Sequence, residues 1–267
     1  MQHDLIDEDF ELSIPEPGAR YQPLYIRETE EGFALRLTRD PETAARHVRS
    51  EAVNGSVKAQ VAWGYMLLDG HGVERDPDAA LRWFRIAAHS GDADALNMVG
   101  RCYECGWAVA ADPDEAIRWF RLAADKGHAW AQYNLGKLLA RGHGGNRDPR
   151  VALSLLVSAA RRGVPKAMNM LGRFREDGVI GAPKPQAAAR WFARAAQRGC
   201  FRGQFHHARY LVAFGRIDEA ENSFRASLAQ APDKYRRDAL AMLRNHPIEK
   251  IRRIALDTPP TVREPRA

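Results

Sequence analysis

The sequence predicts an all-α chain, an α-solenoid of stacked helix–turn–helix repeats, and three observations carry that prediction. Gly64, Gly100, Gly136 and Gly172 stand 36 residues apart. Asp76-Pro77, Asp112-Pro113 and Asp148-Pro149 recur at the same interval. So do the turn glycines Gly70, Gly106, Gly142 and Gly178, and the closing glycines Gly91, Gly127, Gly163 and Gly199. A fixed period in this range marks supersecondary units that cannot bury their apolar faces alone and therefore stack into a quasi-one-dimensional array. Such an array offers a surface rather than a catalytic pocket. Function is then expected at positions that vary between copies.

Each unit reads as two helices. The first runs from about Lys58 to Leu68 in the first copy, with Ala59, Trp63 and Leu67 on one face at helical spacing. Mid-helix glycine costs about 1 kcal/mol against alanine, so four in register predict a neighbouring helix at close range. Asp69-Gly70-His71-Gly72 ends that helix. Asp76-Pro77 opens the second, because Asp caps well and proline suits a first helical position whose N–H has no partner in any case. Lys184-Pro185 keeps the proline and loses the cap. Ala80, Trp83-Phe84 and Ala87-Ala88 mix bulky with small side chains, and Gly91 supplies a left-handed stop. Trp83, Trp119 and Trp191 are expected in the core.

The order Ala-x-x-x-Leu-Gly-x-x-Tyr-x-x-Gly-x-Gly-Val, then Asp, Ala, Trp, Ala-Ala and Gly, resembles the Sel-1-like repeat, the 36-residue relative of the tetratricopeptide repeat. Ala95 to Gly127 and Ala131 to Gly163 match it well, with Leu155-Leu156 replacing Trp-Phe in the latter. The resemblance implies a right-handed solenoid with four Sel-1-like repeats over residues 58–202. An acidic, disordered tail is expected over 1–22 and an N-terminal cap over 23–57. The cap contains a partial repeat marked by Asp40-Pro41, Ala44, Ala52 and Gly55. Residues 21–38 leave their conformation open, extended included. A degenerate tetratricopeptide-like repeat is expected over 203–232, capping helices over 233–257 and a flexible tail over 258–267.

Composition narrows the class. With 45% apolar residues the chain can bury a stacked core, and no run approaches the roughly 18 apolar residues of a membrane span. Met1-Gln2-His3-Asp4 is not a basic-then-apolar leader, so a cytoplasmic protein is expected, and 33 Arg among the 40 basic residues fit a bacterial one. Three cysteines do not make a disulfide framework. Residues 1–40 hold 4 Arg against 10 Asp or Glu, a balance of −6; with +6 overall, residues 41–267 carry +12. That is a dipole between an acidic tail and a basic array.

In the tetratricopeptide relatives that the repeat resembles, first helices line a concave face and ligands touch residues around the small mid-helix position. The residues just after it here are Tyr65, Arg101, Lys137, Arg173 and Arg209; one turn earlier come Asn97, Tyr133 and Asn169, and a further turn back Trp130 and Lys166. Residues three and four apart share a helix face, so these ten form the predicted partner-binding groove. Arginine offers a planar fork to carboxylate, and asparagine can hold a peptide backbone through donor and acceptor. The expected function is a non-enzymatic protein–protein interaction adaptor or scaffold binding an acidic or extended segment of a protein or peptide partner. Glu104 and Glu176 lie near enough to orient the arginines. The segment Leu5 to Leu12 is a candidate intramolecular occupant of the same groove.

Two alternatives remain. The same basic face could associate with nucleic acid, or Cys102-x-x-Cys105 could mark a thiol-dependent metal or redox protein. Cys102 falls in the apolar slot of Met66, Leu138 and Phe174, and Cys105 in the exposed slot of Asp69, Arg141 and Asp177. Trp107 and Trp130 lie off the core pattern and are expected as exposed contact aromatics. His71 and His143 recur in Gly-His-Gly turns two repeats apart. No nucleophile elbow, phosphate loop or zinc-protease helix is present, so the sequence assigns no catalytic, cofactor or metal residue.

Overall fold

The computed structural model describes residues 40–143 and 147–258. The acidic tail with its segment Leu5 to Leu12, the open reading of residues 21–38 and all but the first residue of the 258–267 tail lie outside them. Thirteen helices and no strand occur among the described residues. The chain divides into two compact units that meet in sequence at Arg147 and Asp148. The amino-terminal unit holds α1 (Pro41–Val53), α2 (Val57–Asp69), α3 (Pro77–His89), α4 (Ala93–Cys105), α5 (Pro113–Asp125) and α6 (Ala129–Arg141). The carboxy-terminal unit holds α7 (Pro149–Arg161), α8 (Pro165–Glu176), α9 (Pro185–Gln197), α10 (Phe201–Ala213), α11 (Ile217–Gln230), α12 (Asp233–Arg244) and α13 (Glu249–Asp257). In the amino-terminal unit each helix packs on the next; in the other, α7 to α11 do the same and α13 closes over α11 and α12.

Helix starts follow local chemistry. Asp40, Asp76, Asp112 and Asp148 cap α1, α3, α5 and α7, each accepting a backbone N–H of the first turn ahead of or beside a first-position proline. Ser56, Asp92 and His128 cap α2, α4 and α6. Beyond α7 the side-chain caps stop: Lys184, Val164 and Cys200 make none. The amino-terminal unit thus has a side-chain cap at every helix start, whereas α8 to α13 begin without one.

The repeated mid-helix glycine has a packing cause. A Cβ built on Gly64 would lie 2.6 Å from Phe84 Cε1, and one on Gly100 2.7 Å from Phe120 Cδ1; on Gly172 it would be closer still to Phe192. Phe84, Phe120 and Phe192 are fully buried, so the second helix drives its ring into the space left by the first helix's missing side chain. The core therefore belongs to the residue after each tryptophan. Trp83, Trp119 and Trp191, expected inside, are only half-buried, because consecutive helical residues point about 100° apart and only one can face the glycine. In the third copy Leu156 takes the buried place and Leu155 the half-buried one.

At the end of the array Phe205, Phe224, Leu228, Leu240, Leu243, Ile251 and Ile254 form one cluster. The last two helices cover the apolar side of α10 and α11, as a stacked array requires at its end.

Candidate functional site

In the amino-terminal unit the predicted face is a chain of polar contacts between successive first helices. The Tyr65 hydroxyl donates to Asp94 Oδ1 at 3.1 Å, linking α2 to α4. Asn134 Nδ2 donates to Asn97 Oδ1 at 3.0 Å, linking α6 to α4. His128 Nδ1 accepts from the Ala131 N–H at 3.2 Å, which leaves the ring proton on Nε2, 3.6 Å from Asp94 Oδ1. Burial pushes the His128 pKa down, opposed in part by the Asp92 carboxylate; a neutral ring is what the capping bond needs.

Further along, Glu104 sits between two cations. Arg101 Nη1 donates to it at 2.6 Å from the previous turn, and Lys137 reaches it from α6. Lys137 is only 4% exposed. Burial lowers its pKa against the attraction of Glu104. Burial alone would raise the Glu104 carboxyl, but Lys137 and Arg101 outweigh it and hold the acid below its ordinary range. Arg101 also lies over the Trp107 ring at 5.2 Å, and Lys137 Nζ stands 5.8 Å from the Tyr133 ring centre. Trp130 and Tyr133, both half-buried, meet edge to face at 6.0 Å.

Two expectations change here. Trp107, expected as an exposed aromatic, is buried: its N–H bonds back to the Cys102 carbonyl at 2.9 Å, folding the turn after Gly106 under Arg101. Asn97 and Lys137 are buried members of the face rather than side chains projecting from it. Tyr65, Arg101, Trp130 and Tyr133 are the partly accessible ones in this unit.

In the carboxy-terminal unit Lys166 and Arg209 are exposed, Arg173 is half-buried and Asn169 is buried. Arg209 Nη2 approaches Glu176 Oε1 at 3.6 Å and its Nη1 stands 3.1 Å from His206 Nδ1. Glu176 also accepts from the Tyr210 hydroxyl. Glu104 with Lys137, and Glu176 with Arg209, share a 33-residue separation, a periodic signal that could have paired them from sequence. Arg202 stands in register with Trp130 and Lys166; Asn134, His128 and Tyr235 were not foreseen on this face, since they are not periodic equivalents of the residues that were.

Elsewhere the chemistry is quiet. Cys102 is fully buried, and desolvation pushes its thiol up to about 12, so it is a core residue and a poor thiolate. Cys105 is half-buried rather than exposed. Among the described residues no cluster of three or more His, Cys, Asp or Glu side chains could hold a metal ion. Shallow grooves run along α7 (Arg150, Leu153, Val157, Arg161) and between α1 and the α2–α3 turn (Arg46, Arg49, Trp63, Val73); neither pairs a nucleophile with a base.

Helix pairs in 36-residue register, with a glycine–phenylalanine contact inside the pair and polar contacts from one first helix to the next, define an α-helical repeat protein. The Sel1 repeat family matches at residues 57–92, 93–128, 131–164 and 165–200, more than half of the chain. The chain belongs to the Sel1 repeat family. Proteins of this family generally mediate protein–protein interaction and serve as non-catalytic scaffolds. A Sel1 repeat protein from Oxalobacter formigenes has a similar structure, with a TM-score of 0.71 at 23% identity over 85% of this chain and 97% of that one. Two immunity proteins from Pseudomonas aeruginosa are also similar. One has a TM-score of 0.52 at 18% identity over 76% of this chain and 80% of its own. The other has 0.50 at 18% over 75% and 80%. At these identities the likeness is one of fold. No curated protein sequence matches the chain. No helix among the described residues is long and apolar enough to cross a membrane.

Proposed function

We propose that this chain is a non-enzymatic adaptor that holds an acidic or extended segment of a protein partner on its first-helix face. One observation carries the reading. Side chains from successive repeats are joined across that face by Tyr65–Asp94, Asn134–Asn97 and Arg101–Glu104–Lys137, leaving partly accessible aromatics and cations on a fixed polar floor. A prearranged surface loses little freedom on binding, which is where affinity is otherwise spent. A reducing, cytoplasmic setting suits three cysteines with no disulfide between them.

The test is affinity capture from a bacterial lysate with three baits: wild type, a face variant (Trp130→Ser with Tyr133→Ser), and a second-helix control (Ile86→Ser with Leu122→Ser, both exposed). Circular dichroism checks that each is folded. A protein retained by wild type and control, lost from the face variant, and bound directly when purified supports the adaptor. Equal capture by all three baits rejects this face. Capture abolished by nuclease treatment would instead assign the face to nucleic acid.

A further inference from the structure

The second helices of the amino-terminal unit carry a charge pattern of their own. Arg46, Arg82 and Arg118 stand 36 residues apart, and so do Arg49, Arg85 and Arg121. Residues three apart share a helix face, so α1, α3 and α5 each present an arginine pair on one side. All six are exposed, while Ala45, Leu81 and Ile117, one residue before the first of each pair, are buried. Stacking of equivalent units sets equivalent residues in rows. The rows stop with the unit, since the corresponding residues of α7 are Ser154 and Val157. A general surplus of arginine would not keep such a register.

Local counter-charges on these rows are few. Arg118 is ion-paired with Glu115. Arg46 donates to the Thr43 hydroxyl at 2.8 Å and lies within electrostatic range of Asp40. Arg85 donates to the Tyr103 hydroxyl at 2.8 Å, a neutral partner. Among the described residues no carboxylate is ion-paired with Arg49, Arg82, Arg85 or Arg121. Glu42, Asp78 and Asp114 stand one turn earlier, in first turns where the helix dipole favours an acid.

Apolar side chains share the same stripe. Ile86 and Leu122 follow the second arginine of α3 and α5 and are 46% and 51% exposed. The half-buried Trp83 and Trp119 stand three residues before them. The groove beside α1 reaches only Arg46 and Arg49 of the six arginines, so a partner that meets all three helices must present an extended surface. A nucleic-acid backbone would satisfy the arginines and leave Ile86 and Leu122 without apolar contact. An anionic bilayer satisfies both: guanidinium forks pair with headgroup phosphates, and apolar and indole side chains enter the boundary between headgroups and acyl chains.

We propose that the second-helix face of α1, α3 and α5 docks on an anionic membrane surface. The arginine rows meet lipid phosphates there, and Ile86 and Leu122 enter the boundary layer. This contact uses other residues than the adaptor face and does not depend on it.

The experiment is flotation of the full chain with vesicles of phosphatidylcholine alone, or with about one-third phosphatidylglycerol added. Wild type should float only with the anionic vesicles. Arg49→Gln, Arg82→Gln and Arg121→Gln together should weaken binding about hundredfold, at about fivefold for each arginine near an anionic surface. Arg198→Gln, Arg237→Gln and Arg244→Gln remove the same charge from exposed positions of the carboxy-terminal unit and should stay within about twofold of wild type. Ile86→Ser with Leu122→Ser removes no charge and should weaken binding about fivefold to tenfold. All these side chains are exposed, so the variants should keep the fold, which circular dichroism checks. Failure of wild type to bind anionic vesicles overturns the proposal. So does equal weakening by the carboxy-terminal set, which would mean that binding follows net charge. Wild-type affinity in the serine pair would remove the apolar contact and with it the bilayer. Tighter binding to polyuridylate than to vesicles, lost with the arginines and kept in the serine pair, would give the face to nucleic acid instead. None of these outcomes touches the adaptor reading, whose lysate capture depends on Trp130 and Tyr133.

Discussion

Replacing Gly100 with alanine tests the packing logic of the whole array. Alanine favours a helix interior by about 1 kcal/mol over glycine, so by local propensity alone Gly100→Ala should stabilise. The structure opposes this. The new Cβ would lie 2.7 Å from Cδ1 and 2.8 Å from Cε1 of Phe120, where ordinary contact begins near 3.4 Å, and Phe120 is fully buried with nowhere to retreat. Overpacking of a closed core costs about 1–3 kcal/mol, and overlap with two ring carbons puts this site at the upper end. The net is a loss of about 1–2 kcal/mol, or a fall in Tm of about 3–6 °C for a chain of this size. Thermal denaturation by circular dichroism reads it. Phe120→Leu supplies the natural control, since the third copy places Leu156 there. Alone it costs about 1 kcal/mol; combined with Gly100→Ala it should restore space, giving a favourable coupling of about 1 kcal/mol. Gly172→Ala should be worse than Gly100→Ala, because the clash with Phe192 is closer. A Tm unchanged or raised in Gly100→Ala, or strict additivity in the double variant, would refute the reasoning.

Other perturbations have expected outcomes of their own. Asp112→Ala removes an oxygen that accepts from Asp114 N and Glu115 N, each at 3.0 Å, and should cost about 1 kcal/mol. Lys184→Asp should gain about 0.5–1 kcal/mol at the uncapped start of α9; urea melts compare the two. Glu104→Gln leaves Lys137 buried without its counter-ion and should cost about 3–5 kcal/mol, whereas Glu104→Leu with Lys137→Met should be near neutral, again by urea melts. Burial lowers the His128 pKa in the folded state, so its contribution is complete above the unfolded value near 6.5 and is lost as pH falls through the lower folded value. His207 and His246 shift the same way through burial. The measure is therefore the Tm difference between wild type and His128→Asn, which keeps a cap and cannot titrate. It should move against wild type as pH falls below about 6.5; parallel curves would remove His128 from the account.

Local rules were legible wherever they act within one turn. Asp76-Pro77 and its counterparts named the helix starts, and the structure gives each a capping bond. The glycines in register announced a close approach, and Phe84, Phe120 and Phe192 are what approaches. Periodicity could not say which of two adjacent aromatics enters the core, because that depends on the rotation of the second helix against the first. Trp83, Trp119 and Trp191 were therefore placed too deep. Trp107 was placed too shallow for a related reason: a single turn bond to Cys102 folds it under Arg101.

The predicted face shows the same division. Repeat spacing put Tyr65, Arg101, Lys137, Arg173 and Arg209 in equivalent slots, since side-chain direction along a helix is set by backbone geometry alone. It could not show that Lys137 is buried against Glu104, that Asn97 meets Asn134 rather than a ligand, or that Tyr235 arrives from α12 beside Arg202. Those contacts join residues about 33 to 37 positions apart in the sequence, and their distances follow from how one helix pair stacks on the next. The sequence by itself determined the repeat, its helices and its family. Tertiary structure decided which polar groups neutralise one another, because charge and burial are properties of neighbours in space.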